Sequence, residues 1–565
     1  MRPSLLIPLL LLAAPLRAQP APGDCVPGAA RDSLDVNQAL APLFNDGSLF
    51  DNSSNISFEG YRTADAPDAI PLFETFLWLA GSVEGEARAS ATWFGSPGFW
   101  PGPLETGGAL PNPADCSAYD RIWNVSRQDV ARYLATGEAT DDLLEWPVDL
   151  GAPVLDGDGI PGNYNLEGGD QPAIRGDQMA WWVMNDVGNE QLVTGSAPMG
   201  LEVRVEAFAA EGRGAAPGAL DPATFYRYTL TNRTGQPIDS TFAGWMMNPA
   251  SNLSHLGSDT TSGLAYAYSW FDIPAYGRNP PAWGGSVIEG PVGMPNGRDD
   301  DGDGLVDESG ERLGTTTVGL VFNGGPMWSV DPRTPEEFIL RMSGYWNDGE
   351  PIREGDAGHN PGGGGDIVQF VFPGDPTLPA FWSALRPDRE PPHRPIIVSR
   401  FFLATGPFRL DPGETETVTF AVTYGRGFDR FSSIRVLWAY TDEVHFQYGI
   451  GALDPRPVTA AEFESPELPE ETTLPEGVRF VRPSPNPFRG PLALRYEVPA
   501  PTPLRLSVYD ALGREVAVLF DGTAEAGAHE AVLDGAALAP GVYVVRLAVP
   551  GGSRALALTR APARF

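Results

Sequence analysis

The chain has 565 residues, 73 of them acidic and 38 basic, for a formal net charge of −35, and every basic residue is arginine. An acidic excess of this size argues against nucleic acid and anionic membrane surfaces as partners, and it suits solubility in salty water. Glycine and proline number 66 and 57, a share that signals many turns rather than disorder, in a chain long enough for more than one structural unit.

The N-terminus reads as an export signal covering residues 1–18. Arg2 precedes the apolar run from Leu5 to Ala14, and Leu16-Arg17-Ala18 offers a small residue before Gln19. The run is too short to span a bilayer, and no later stretch reaches the length of a transmembrane segment. Asp24 before Cys25 does not fit a lipoprotein cleavage box. Cys25 and Cys116 are the two cysteines of the chain. In an exported protein an even pair reads as a disulfide, with two separate thiols as the alternative.

Residues 19–455 form the body. The expected fold is mainly β: two or three β-sandwich units with few short helices, rich in turns and in aromatic core material. One helix is predicted after Ser126. Ser126 serves as N-cap, Asp129 completes a capping box, Val125 and Val130 sit at the staple positions, and Gly137 ends it. Strands are expected over Thr224–Thr231 and Ser240–Met246, joined by the Asn232–Gly235 turn. A second pair, Ile396–Ala404 and Glu414–Tyr424, flanks Pro412-Gly413 in hairpin fashion. The run Gly406–Thr415 resembles those of sandwich modules in large secreted bacterial proteins. A longer stretch carries Ile122-Trp-Asn-Val-Ser126, Trp146-Pro147, Asp156-Gly-Asp-Gly159, Arg175-Gly-Asp-Gln178, Trp181-Trp182 and Phe225-Tyr-Arg-Tyr228. It resembles a recurrent region of uncharacterised secreted proteins of the Bacteroidetes, which implies a shared module and no particular activity.

Two acidic loops have the composition of cation sites. In the first, Asp299, Asp301 and Asp303 with Gly304 match positions 1, 3, 5 and 6 of a calcium loop; the Leu305 carbonyl falls at position 7 and Asp307 at position 9. Position 12 is Gly310 rather than a bidentate Glu. The loop therefore looks more like the calcium repeats of thrombospondin type 3 or dockerin modules, with Glu308 as an extra ligand. Asp300 is expected to point away. In the second loop, Asp156 and Asp158 are followed by Asn163, Asn165, Glu167 and Asp170. The oxygen ligands are present, the spacing is irregular, and a plain turn is the alternative.

Catalytic motifs are not found. The five histidines make no His-Glu-x-x-His, and there is no Gly-x-Ser-x-Gly elbow and no phosphate loop. Arg175-Gly176-Asp177 is a tripeptide that arises by chance, and His359 to Gly365 reads as a flexible loop. Paired carboxylates for glycoside hydrolysis are left open, because the fold sets their separation.

Residues 456–476 hold Glu462, Glu464, Glu467, Glu470, Glu471 and Glu476 with Pro466, Pro469 and Pro475. Like charges and proline make this an extended linker. Residues 477–565 then give seven short alternating segments: Val478–Val481, Leu492–Val498, Leu504–Tyr509, Glu515–Phe520, Ala528–Leu533, Val542–Val549 and Ala555–Thr559. The Asp510-to-Arg514 turn joins two of them. That is the scale of a seven-stranded immunoglobulin-like sandwich. The opening Pro485-Asn-Pro-Phe488, the Asp-x-x-Gly-Arg turn and Gly541-Val-Tyr543 occur in this order at the end of the chain. On these motifs the tail resembles the C-terminal sorting domain of type IX secretion system cargo, and it is similar to the immunoglobulin-like module of flagellar hook-capping proteins. Arginines stand where such tails usually carry lysine. The resemblance implies passage through the type IX secretion machinery to the outer cell surface or the medium. It also implies removal of the tail and joining of the body to a surface glycolipid.

Two functions follow as expectations. The first is a secreted or surface-anchored binding or structural protein stabilised by calcium. The alternative is a secreted hydrolase acting on polysaccharide or peptide. Tryptophan-rich loops suit either, since aromatic rings stack on extracellular polysaccharide as readily as they fill cores.

Overall fold

A computed structural model describes residues 22–50, 60–212, 218–249, 255–294, 306, 310–322, 324–378, 380–385, 400–463, 474–475, 477–481, 483, 488, 490–510, 515–535, 538, 541–550 and 552–560. The expected export signal lies outside these residues, as do most of the Pro/Glu-rich segment, the Pro485-to-Pro487 motif and the 511–514 turn.

The body is built on two nine-stranded antiparallel sheets that face each other. Sheet I is centred on Leu72–Val83, Ile238–Pro249 and Arg400–Leu410. Sheet II is centred on Gln178–Asn185, Leu201–Ala209, Thr224–Asn232 and Thr415–Gly425. Leu72–Val83 and Gln178–Asn185 are buried along almost their whole length, because both faces of their sheets are covered there. In Leu72–Val83, Leu77 and Leu79 enter the core between the sheets. Phe76, Trp78 and Ala80 pack on the opposite face with the helix Pro335–Met342. In Gln178–Asn185, Ala180, Trp182 and Met184 face the central core, and Met179, Trp181 and Val183 face outward into a second cluster. This is the period-2 rule of a strand with two different apolar environments.

The central core spans both sheets. The Trp245 ring of sheet I stacks on Phe420 of sheet II, with centroids 4.5 Å apart and planes 13° apart. Of the 14 tryptophans, all but Trp93, Trp270 and Trp328 are buried. The tryptophan content therefore fills cores rather than lining surface loops.

Both expected body strand pairs form, but neither pairs as a hairpin. Thr224–Asn232 lies in sheet II and Ile238–Pro249 in sheet I; Arg400–Leu410 and Thr415–Gly425 are split the same way. Each turn is a corner that carries the chain from one sheet to the other. Buried Asn232 ties the two corners together. Its Nδ2 donates to the Gln236 and Leu410 carbonyls at 2.7 and 3.0 Å, and its backbone carbonyl accepts from Gly413 N at 2.8 Å.

The predicted helix, Arg127–Thr136, has its full capping box: Asp129 N donates to Ser126 Oγ at 3.1 Å, and Ser126 N donates to Asp129 at 3.0 Å. Gly137 closes it in the left-handed region at φ 79°. A short helix, Asp141–Leu144, follows. The longest helix, Arg430–Gly449, covers the outer face of sheet II, setting Ile434, Leu437 and Trp438 against Tyr266 and Tyr268. No described helix is long and apolar enough to cross a membrane.

Cys25 and Cys116 are bonded, with Cα atoms 5.3 Å apart. They sit beside Trp100, Leu104, Leu110 and Val187 and tie the N-terminal segment to one end of sheet II.

The C-terminal region has the seven expected strands in two sheets. One contains Arg479–Phe480, Leu492–Val498 and Gly527–Leu533; the other contains Glu515–Ala524, Thr502–Asp510, Gly541–Val549 and Gly552–Arg560. Leu494, Leu506, Val508, Val545, Leu547, Leu556 and Leu558 close a separate core between them.

Candidate functional site

The second acidic loop folds into a candidate metal centre. Val154–Leu155 pairs with Gln171–Pro172 as a minimal antiparallel ladder, so the residues between them form one closed loop. Tyr164 and Leu166 anchor the loop by packing on the outer core of sheet II, and Tyr164 Oη donates to the Leu143 carbonyl at 2.7 Å. Gly157 lets the two arms meet, since a Cβ there would lie 2.1 Å from the Gly169 carbonyl oxygen.

Within this frame Asp156, Asp158 and Asp170 converge. One oxygen from each lies within 4.8 Å of the others, and their arrangement can hold a metal ion. Asp170 is buried, Asp158 half-buried and Asp156 exposed. Backbone amides orient the carboxylates. Asp170 Oδ1 accepts from Gly157 N at 2.8 Å and its Oδ2 from Asn165 N at 2.7 Å. Asp156 Oδ1 accepts from Gly159 N at 2.6 Å. Asp158 Oδ2 accepts from the side-chain amides of Asn163 and Asn165 at 3.0 and 3.1 Å. Those two amides, with Ile160 N, hold the Asp158 carboxyl below the usual carboxylate range.

The donor set suits a hard cation: three carboxylates, all-oxygen ligands, and no basic residue anywhere in 154–172. Asn163 Oδ1 is buried, with no hydrogen-bond partner among the described residues. Glu167 stays exposed on the turn Leu166–Gly168 and is not in the group. The other predicted set, Asp299, Asp301, Asp303, Leu305, Asp307 and Glu308, lies outside the described residues.

A second arrangement has no counterpart in the sequence reading. A cavity of about 380 Å³ is lined by Asp32, Asp35, Asn124, Asp129, Asp142 and Gln178 among others. Three amide groups, from Asn124 and Gln178, hold its acids in place. Asn124 Nδ2 donates to Asp32 Oδ1 at 2.7 Å, and Asn124 N donates to Asp142 Oδ2 at 3.0 Å. Gln178 Nε2 donates to Asp35 Oδ1 at 3.1 Å. Burial pushes the Asp32 carboxyl up, and the charges of Asp142 and Asp35 add to the effect. Asp142 is paired with Arg121 at 2.8 Å. No local motif could have shown this site, because Asp32 and Asn124 are 92 positions apart and Gln178 is 54 further on.

No family model matches the chain, and no curated protein matches it. Among solved structures, a Bacteroides polysaccharide lyase aligns with 9% identity and a TM-score of 0.17, over 73% of this chain and 39% of that one. The chain thus spans about two fifths of the lyase's length. A likeness at this TM-score carries no inference about activity.

Proposed function

We propose that this is an extracellular or cell-surface binding or structural protein, steadied by calcium and exported through a type IX secretion system by its C-terminal domain. The observation that carries the calcium reading is the convergence of Asp156, Asp158 and Asp170 in a loop without a base. Calcium binds such oxygen sets at 2.3–2.6 Å, and extracellular modules need affinities only on the order of 10⁻⁴–10⁻³ M. The export reading is supported by the tail motifs and by a seven-stranded unit with its own core.

Two experiments test the reading. Titration calorimetry should give calcium binding to the full chain, weakened at least tenfold in Asp158→Asn. Stabilisation of wild type should reach about 2.7 kcal/mol when free calcium is a hundredfold above Kd. Absence of heat and of any thermal shift with calcium sinks the metal part. Deletion of residues 477–565 should trap the body in the periplasm; its appearance outside at the wild-type level sinks the export part.

A second reading, a hydrolase of polysaccharide or peptide, is favoured by one observation: Asp32, raised by burial, shares a cavity with Asp142, which pairs with Arg121 at 2.8 Å. Two carboxylates in unlike surroundings can divide general-acid and general-base roles. If the reading is right, culture supernatant should degrade a polymeric substrate and Asp32→Asn should abolish that turnover.

A further inference from the structure

The opening of the Pro/Glu-rich segment is built into the body. Leu453 and Val458 are buried in the outer core of sheet II, in the cluster that holds Trp146 and Ile174. Gly176 N donates to the Leu453 carbonyl at 3.0 Å. Gln171 brackets Val458: its Oε1 accepts from Val458 N at 2.8 Å, and its Nε2 donates to the Val458 carbonyl at 3.1 Å. The Arg127 guanidinium, 5% exposed, donates to both carboxylate oxygens of Glu462, at 2.9 and 2.7 Å. It also donates to the Arg456 and Pro457 carbonyls at 3.0 and 3.3 Å. Residues 453–463 are therefore a clasp laid on the body, and the chain beyond them leads to the C-terminal domain.

Arg127 stands between two residues of a cavity wall. Ser126 and Gln128 both line the cavity that holds Asp32 and Asp142, and Ser126 caps the helix that Arg127 begins. Arg127 N donates to the Asp177 carbonyl at 2.9 Å. The Asp177 carboxylate lies 3.9 Å from Arg127 Nε and 3.8 Å from Arg456 Nη2 of the clasp. Gln178, the next residue, joins the remaining segments of the wall. Its Oε1 accepts from the Asp35 and Val36 amides at 2.9 and 3.0 Å, and its Nε2 donates to Asp35 Oδ1 and Asn124 Oδ1 at 3.1 and 3.2 Å. The clasp thus holds the helix start and the strand start from which the wall is built.

Without Glu462, the buried guanidinium loses its nearest carboxylate and is left with Asp177 at 3.9 Å among the described residues. A buried charge in that position must regain water or another anion. Arg127 is the first residue of its helix, so moving its side chain toward solvent disturbs the helix start and the bond to Asp177. We infer that the 453–463 clasp sets the shape of the Asp32–Asp142 cavity through Arg127 and Asp177, so that releasing the segment that leads to the C-terminal domain loosens the cavity wall. The coupling is reciprocal: whatever stiffens the wall also tightens the clasp. It holds whether or not the calcium and hydrolase readings are right.

Amide hydrogen exchange on the full chain tests this. The reporters are the Val458 amide on the clasp and the Asp35, Val36, Arg127 and Asp129 amides of the wall. Their acceptors are Gln171, Gln178, Asp177 and Ser126. All should be protected in wild type. Glu462→Ala should speed exchange about tenfold at Val458 and at the wall amides, and leave the central strand Leu201–Ala209 unchanged. Asp454→Ala removes the exposed 3.0 Å pair with Arg175 at the other end of the clasp. It should leave the wall within about twofold of wild type. Faster exchange at Val458 with an unchanged wall would reduce the clasp to a tether and overturn the inference. An unprotected Val458 amide in wild type overturns it too, as does an equal effect of Asp454→Ala on the wall. If Glu462→Ala unfolds the body, Glu462→Gln takes its place, since it keeps the shape and removes the charge. Wall and central strand speeding up alike in that variant would show global loosening and sink the route through Arg127.

Discussion

His255 shows how one buried side chain sets a pH limit. It is almost fully covered, against the rings of Tyr268 and Phe271. Burial lowers its imidazole from the ordinary 6.5 to about 4. Between those values the unfolded chain takes up a proton that the folded chain refuses. Stability from this site is therefore complete above pH 6.5 and is lost as pH falls toward 4. His445, held by Ser286 at 2.9 Å and likewise lowered to about 4, acts in the same direction. His255→Phe keeps the ring contacts and removes the titration. Urea unfolding of the variant at pH 7 and pH 4.5 should show an acid-induced loss smaller than that of wild type by roughly 2 kcal/mol. An unchanged loss would place the acid sensitivity elsewhere.

At the scale of elements, the helix Arg127–Thr136 was legible because its signals are local. Ser126, Asp129 and Gly137 act within a few residues of one another. Ser126→Ala removes the hydroxyl that accepts from Asp129 N and leaves that donor without its cap. The body should lose about 1 kcal/mol in denaturant unfolding, and Ser126→Thr should recover most of it. The 20-residue helix Arg430–Gly449 was not read. Its start signal, Asp429 with Ser432 as the reciprocal partner, departs from the usual Glu or Gln at that place. Its composition, with Phe431, Ile434, Val436, Trp438 and Tyr440, favours strand by propensity. Packing of Ile434, Leu437, Trp438 and Val444 on sheet II overrides that preference. The two body turns show the same limit. Asn232–Gly235 and Pro412-Gly413 mark reversals correctly, but turn chemistry does not say whether the next strand joins the same sheet or the opposite one.

At the scale of the molecule, the bond between Cys25 and Cys116 bridges 91 positions. Closing a loop of that length should contribute roughly 4 kcal/mol through the unfolded state. Non-reducing peptide mapping should recover the two cysteines linked, and Cys25→Ser with Cys116→Ser should destabilise the body by about that amount while leaving the tail's unfolding unchanged. The sequence alone determined the mainly β class, the seven strands of the tail with their alternating faces, the capped helix and the oxygen-rich composition of the acidic loops. Each of these follows from period, capping or turn residues a few positions apart. Tertiary structure decided that the body's main strands close one shared core between two sheets. It also decided that Asp156, Asp158 and Asp170 meet despite irregular spacing, that Asp32 and Asp142 share a cavity, and that residues 453–463 bind back to the body at Gln171 and Arg127. Three of these contacts join residues distant in sequence, where burial and packing choose among the many partners that local propensity leaves open; the acidic trio is local, but only the pairing of Val154–Leu155 with Gln171–Pro172 folds its loop closed.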